Sequence, residues 1–311
     1  MKNIPCSKCN SKAITFIRYS GRHLCKKHFN EFFEKKVKRG LREQFLHKSK
    51  KIVLGISGGK DSTIALYMLQ KFLSKTGTEI ICLTVDEGIK GYREEGIKKV
   101  RMNSNKLGIE HATVSFEKNF GIKMDDVAKL FGKKTKKTPC TYCGVFRRYC
   151  LNKFARETGA DRVATGLNLD DTVQSILMNL ARGDVEKLAR MGPHLKEQEG
   201  LIQRIQPLRY IPEKESLLYA ILNNIEFHNA ICPYSEHAWR NKYRELILSL
   251  EKDSPGTMYG ILSSYDKIRP ILEGRYKQEK LNKCKYCNEP TIKEVCEACG
   301  LLFEIKKFIT K

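Results

Sequence analysis

"SGGKDS", Ser57 to Ser62, follows the apolar run "KIVLGI" and precedes "TIALYMLQKFL". A loop of glycines, a lysine and an aspartate thus joins a strand-like segment to a helix-like one. Glycines at such a junction let backbone N–H groups close on an anion, and the N-terminus of the following helix adds the positive end of its dipole. The segment is a near miss to the Walker A pattern: counted from Gly55, Lys60 comes one residue early, and Asp61 stands where that pattern has Ser or Thr. The plain alternative is a tight strand-to-helix turn with an N-cap.

Working outward, strand-like runs "KIVLGIS" (51–57), "EIICLTV" (79–85), "HATVSF" (111–116) and "DRVATG" (161–166) alternate with helix-like stretches near 61–74, 91–107, 143–158 and 171–182. Alternation of this kind implies an α/β fold, a doubly wound parallel sheet covered by helices. In the last stretch Val173, Ile176, Leu177 and Leu180 fall at helical spacing on one apolar face. Ligands of such sheets sit beyond the carboxyl ends of the strands. Asp86 ends the second strand, Gly166 is at the turn after the fourth, and Asp171 begins the next helix, where the helix dipole alone would favour a carboxylate. From 213 to 280 the pattern is mostly helical, punctuated by Pro233 and Pro255.

The 311 residues carry 58 Lys and Arg against 35 Asp and Glu, a net charge of +23. That excess points to a polyanion, nucleic acid first, although lysine-rich solvated faces also occur without one. "KKTKK" at 133–137 precedes Cys140 directly and could position phosphates or be a solvated loop. No apolar run is long enough for a bilayer, and "MKNIPCSKCN" lacks a signal-peptide core, so the expected location is cytoplasmic, with no membrane partner.

Twelve cysteines in a reducing compartment argue for metal or sulfur chemistry rather than disulfides. Cys6, Cys9, Cys25 and His28 have tetrahedral zinc spacing, with His23 as an alternative fourth ligand. Cys284, Cys287, Cys296 and Cys299 form two C-x2-C knuckles, a zinc ribbon. Both sets are closed and read as structural, stabilising small modules with little core of their own. Cys140 and Cys143 form a lone C-x2-C, which suits a redox pair, half of a metal site, or two small buried residues. Cys232 is a candidate long-range partner for them, and Cys82 reads as inert core.

"SGGKDS" is similar to the PP-loop of ATP pyrophosphatases. "TPCTYCGVFRRYCL", "ATGLNLDDTVQSILMNLARGDVEKLARMGP" and the distant Cys232 look like the TtuA/TtcA branch of tRNA 2-thiouridine synthetases, and the flanking zinc modules resemble its TtuA-like members. The resemblance covers nearly the whole chain. It implies a Rossmann-like PP-loop domain over 50–230, flanked by a zinc module over 1–32 and a basic helical connector over 33–49. A helical extension over 231–280 would complete the active site before a zinc ribbon over 281–305.

It further implies that MgATP is bound by Gly55, Ser57, Gly58, Gly59, Lys60, Asp61 and Ser62, with Asp86, Gly166 and Asp171 beside them. Asp171 would act on the ATP and magnesium side and Arg147 on charge at the α-phosphate, although lysine is common there in the family. Cys140, Cys143 and Cys232 would hold a [4Fe–4S] cluster, or two of them a persulfide relay. Expected partners are tRNA, ATP and a sulfur donor, either a ubiquitin-like thiocarboxylate carrier or sulfide, with a homodimer as the assembly. The expected reaction adenylates a uridine C2 oxygen and replaces it with sulfur. A lysidine-forming ligase would have no use for three central cysteines, and an intact "SGGKDS" argues against a non-catalytic zinc-ribbon binder.

Overall fold

The structure is a computed structural model that describes residues 4–44, 49–194, 198–237, 240–276 and 281–309. The chain opens with two small hairpins, β1 (Pro5–Cys6) with β2 (Cys9–Lys12) and β3 (Thr15–Ile17) with β4 (Arg22–Leu24), followed by α1 (Lys26–Glu43). The basic stretch expected to be a connector is mostly this helix. Phe29, Phe33, Val37 and Leu41 recur at helical spacing on it, and all four are buried.

The centre alternates as the pattern requires: β5 (Lys51–Gly55), α2 (Lys60–Leu73), β6 (Glu79–Asp86), α3 (Arg93–Leu107) and β7 (Glu110–Ser115). Short helices α4 (Phe116–Phe120) and α5 (Met124–Leu130) lead to the long α6 (Pro139–Glu157), then β8 (Arg162–Thr165), α7 (Leu169–Ala181), α8 (Val185–Ala189) and β9 (Gln203–Ile205). Helices α9 (Glu213–Leu222), α10 (Arg240–Asp253) and α11 (Thr257–Arg275) precede a hairpin of β10 (Asn282–Lys283) with β11 (Pro290–Thr291) and the last helix α12 (Glu297–Ile309).

Five strands form one parallel sheet in the order β7-β6-β5-β8-β9. β5 is central, with Val53 opposite Ile81 on one side and Val163 on the other; its three middle residues are buried, as a strand covered on both faces must be. The chain runs outward from β5 through β6 to β7 and then returns to β8 on the other side of β5. The order therefore reverses between β5 and β8, and a crevice opens at their carboxyl ends. The loop "SGGKDS" lies at that crevice.

Two details depart from the sequence expectations. Val173 and Ile176 are buried and Leu177 packs beside them, but Leu180 is 56% exposed, because α7 ends one residue later and its last turn leaves the core. The terminal modules are not separate from the main core. Cys6, Leu24 and Cys25 share a hydrophobic cluster with Ile52 and Leu54, and Cys284 and Cys296 share another with Phe116, Tyr142 and Phe146 under α6. Among the described residues no helix is long and apolar enough to cross a membrane.

Candidate active site

The loop after β5 is organised by its own serines. The Ser57 backbone N–H donates to Ser62 Oγ at 3.2 Å, the two hydroxyls lie 3.2 Å apart, and Ser62 Oγ donates to the Gly59 carbonyl at 3.0 Å. Gly59 is the N-cap of α2, so the first N–H groups of that helix lack intrahelical acceptors and face the crevice end. Gly58 has φ +84°, and a Cβ there would lie 2.4 Å from the Gly96 carbonyl oxygen on α3. Only glycine fits where the loop passes that close to a helix.

At Gly166 a Cβ would lie 2.6 Å from the Ser62 backbone nitrogen, so its bare Cα lets the turn after β8 approach the start of α2 beside the PP-loop.

Around the loop stands a chain of charges. Lys60 Nζ reaches Asp61 Oδ2 at 2.7 Å and Glu213 Oε1 at 3.0 Å, and Arg244 reaches Glu213 Oε2 at 2.8 Å. Burial draws the Lys60 ammonium down, but Asp61 and Glu213 outweigh it and raise its pKa above the ordinary lysine value. Asp61 Oδ1 is buried without a partner, a carboxylate oxygen still open to a cation. Asp171 does not begin α7: Asn168 is the N-cap and Asp171 sits at the third position of a capping box, with its N–H donating to Asn168 Oδ1 at 2.9 Å. Its Oδ2 accepts the Asn168 N–H at 3.3 Å, and its Oδ1 accepts from Arg240 at 3.0 Å. Burial raises the Asp171 pKa, against the pull of Arg240. Asp86 ends β6 and accepts the Gly88 N–H at 2.9 Å, which is a turn-forming role.

The three thiols lie a helix away. α6 starts at Pro139, so Cys140 and Cys143 fall on its first turns, and the segment carrying Cys232 crosses beside them, with Cys140 Sγ 3.6 Å from the Tyr234 carbonyl. Burial pushes the Cys143 thiol up to about 11; Arg147 opposes this, and the charges of Glu87, Cys140 and Cys232 add to it. Cys140 is likewise raised, by burial and then by Cys232, so the three sulfurs feel one another. Cys150 and Cys82 are buried elsewhere, pushed up to about 12 and about 11 by burial.

A polar relay joins the two halves of the site. Arg93 donates to the Ser57 carbonyl at 2.9 Å and grips the buried Glu87 with two hydrogen bonds of 2.7 and 2.9 Å. Arg147 lies 3.8 Å from the same Glu87 and takes its largest pKa increase from Cys143. The segment 223–232 also touches both halves, since the His228 N–H donates to the Gly58 carbonyl at 2.7 Å. Sequence reading missed Glu87, Arg93, Glu213, Arg240 and Arg244. Glu87 was within reach, as the neighbour of a strand-terminal Asp86; the arginine spacing on α10 was a further signal.

Fit to metal can be tested on the sulfurs. His28 Nδ1 lies 3.4 Å from each of Cys6, Cys9 and Cys25 Sγ, and Cys9 and Cys25 Sγ are 3.8 Å apart. One nitrogen cannot hydrogen-bond three thiols, whereas the edge of a tetrahedron with ~2.3 Å metal–sulfur bonds is about 3.7 Å. His23 instead stacks on Phe16. The set Cys284, Cys287, Cys296 and Cys299 also lies within 4.8 Å, with Cys287 and Cys296 Sγ 3.6 Å apart. Cys140, Cys143 and Cys232 are not gathered to that single-ion spacing. Three soft thiol donors, one short of a closed zinc set, are of the kind that holds an iron–sulfur group.

A cavity of about 700 Å³ opens between α8, β9 and α11 and shares no lining residue with this site.

A PP-loop at the switch point of a parallel sheet, with acidic and basic side chains converging on it, defines a nucleotide-binding protein of the PP-loop type. The PP-loop domain family matches residues 26–251, and the family described as the 2-thiouridine synthetase TtuA N-terminal LIM domain matches residues 6–30. The chain is 37% identical to the tRNA 2-thiolation protein NcsA of Haloferax volcanii, over 97% of this chain and 99% of that one. It is 34% identical to the tRNA-5-methyluridine(54) 2-sulfurtransferase of Pyrococcus horikoshii, over 96% and 95%. The solved structure of the U34-tRNA thiolase NcsA from Methanococcus maripaludis with its [4Fe-4S] cluster matches with a TM-score of 0.83 at 35% identity, covering 96% of each chain. The chain belongs to the PP-loop family of tRNA 2-thiolation proteins.

Proposed function

We propose that this protein is an enzyme that converts a uridine of tRNA to 2-thiouridine at the expense of MgATP. The observation that carries this reading is the joining of two half-sites, the PP-loop and the Cys140, Cys143 and Cys232 thiols, by the relay Arg93–Glu87–Arg147. The uracil C2 oxygen attacks the α-phosphorus of ATP; an O–P bond forms, the bond to pyrophosphate breaks, and the N3 proton is released. Hydrosulfide-level sulfur then adds at C2, the C2–O bond breaks, AMP leaves with the oxygen, and the proton carried by the sulfur passes to N3; with a thiocarboxylate donor, water cleaves the acyl C–S bond and the carrier leaves as its carboxylate. Adenylation is needed because the carbonyl oxygen is otherwise a poor leaving group.

In this reading the α2 N-terminus and Lys60 hold the departing pyrophosphate, and Asp61 and Asp171 supply oxygens for magnesium. Arg147 faces the thiols and stabilises the anionic charge that gathers between them and the phosphate. Cys140, Cys143 and Cys232 would hold a [4Fe–4S] cluster, which when bound supplies a Lewis-acidic iron left without a protein ligand. The two terminal sets hold structural zinc. The +23 charge, with Lys133, Lys134 and Lys136 exposed just before α6, supports tRNA as the partner. The sulfur donor is proposed to be a thiocarboxylate carrier or sulfide. Exposed Ile268 and Ile271 on α11 support a homodimer.

The test is a cysteine series on anaerobic protein. Wild type should carry about four irons beyond its zinc. Substituting Cys140, Cys143 or Cys232 by Ser should lower iron and thiolation together, while Cys150→Ser leaves both near wild type. Full thiolation by iron-free protein would overturn the cluster and leave a persulfide relay.

A further inference from the structure

Arg240 and Arg244 lie one turn apart on α10 and so share a face of that helix. Each leaves its own helix to reach an acid beside the PP-loop. Arg240 donates to Asp171 Oδ1 at 3.0 Å and to Ser175 Oγ at 3.1 Å, and Arg244 reaches Glu213 Oε2 at 2.8 Å. Glu213 is shared with Lys60 at 3.0 Å. By contrast Arg39 and Arg269 pair with acids four residues on in their own helices, and Arg190, which caps the end of α8, pairs with Glu186 of that helix. The two α10 side chains are 41% and 51% exposed, so a ligand in the crevice can reach them.

Lys60, Arg240 and Arg244 balance Asp61, Asp171 and Glu213 charge for charge. A triphosphate brings its own negative charge to this rim and competes with the carboxylates for the same cations. Guanidinium groups bind phosphate oxygens in a bidentate manner and more strongly than neutral donors do.

We infer that Arg240 and Arg244 bind the phosphate chain of ATP during adenylation, leaving Asp171 and Glu213 to do so. The carboxylates act as stand-ins that keep the cations in place until the nucleotide arrives, and Asp171 is freed for its own cationic partner. This inference rests on the adenylation reading above and names the groups that hold its nucleotide.

The test uses α,β-methylene-ATP as the probe on the full chain, with equilibrium binding read by calorimetry and tRNA affinity by filter binding. Arg240→Gln and Arg244→Gln should each weaken analogue binding by about tenfold or more, the worth of one charge-assisted contact, and leave tRNA affinity within about twofold. Arg190→Gln is the control with no change. Glu213→Gln should bind the analogue more tightly, because it removes the competitor for Lys60 and Arg244, and this variant keeps the test open if an arginine variant folds poorly. Analogue affinity at the wild-type value in both arginine variants, or weaker binding by Glu213→Gln, would overturn the exchange. A loss confined to tRNA affinity would overturn it as well, by assigning the arginines to a tRNA phosphate. Wild-type protein that binds the analogue but releases no pyrophosphate from ATP on addition of tRNA would instead contradict the adenylation reading, and the two failures are distinguishable.

Discussion

At the scale of single residues, two neighbouring carboxyls of the crevice, Asp170 and Asp171, sit in surroundings that work against their ionisation. Asp170 is nearly buried, accepts the Glu213 N–H at 2.7 Å and is pushed up to about 6, first by burial and then by the Glu213 and Asp171 carboxylates. Its folded pKa lies above the unfolded value, so the native state binds the proton more tightly. Stability associated with Asp170 is present below about pH 4 and is lost as pH rises toward 6. Asp170→Asn should flatten the stability profile over that window, removing a decline on the order of 2 kcal/mol. Urea midpoints of both proteins between pH 4 and 6 read the difference; parallel profiles would mean that Asp170 titrates normally.

At the scale of elements, α6 carries Cys140 and Cys143 on its first turns and packs on the C-terminal module. Glu289, nearly buried in the ribbon, pairs with Arg156 on α6, and Tyr142 on α6 donates to Glu304 of α12 at 2.9 Å. Arg156→Ala leaves a buried carboxylate without its partner and should cost on the order of 3 kcal/mol. The same variant should retain less iron, since its helix presents Cys140 and Cys143. An unchanged urea midpoint would show that the ribbon does not support α6.

The elements that sequence made legible are those with strong local signals. The buried run of β5 and the glycine loop are each written in a few adjacent residues, and the two terminal cysteine sets, which the fold gathers to within 4.8 Å, in regular C-x2-C or C-x2-H pairs. β9 was not legible, because "QRI" is short and two-thirds polar and becomes a strand only by pairing with β8. Nor was the meeting of Lys60 with Glu213 and Arg244, which depends on how segments more than 150 residues apart in sequence pack at one crevice. Asp171 was singled out in sequence as the start of its helix, but the helix begins two positions earlier, at Leu169, behind the Asn168 cap.

At the scale of the whole molecule, one parallel core is flanked by two cysteine-rich modules that share its hydrophobic clusters, and the chain carries a net charge of +23. Affinity for tRNA built on that charge should fall steeply with salt, by about 100-fold or more between roughly 50 and 200 mM, as the entropic gain of releasing counterions shrinks. A flat response in the same titration would mark the lysines as a solvated surface only.

The central claim is that PP-loop and thiols act on one uridine, and nucleoside mass spectrometry of tRNA after anaerobic reaction tests it most directly. With MgATP and sulfide, wild-type protein should form 2-thiouridine, accompanied by pyrophosphate, at one mapped position. Lys60→Ala should form neither product. Thiolation that proceeds without ATP or in Lys60→Ala, or pyrophosphate release with no thiouridine from the cluster-loaded wild type, would contradict the account.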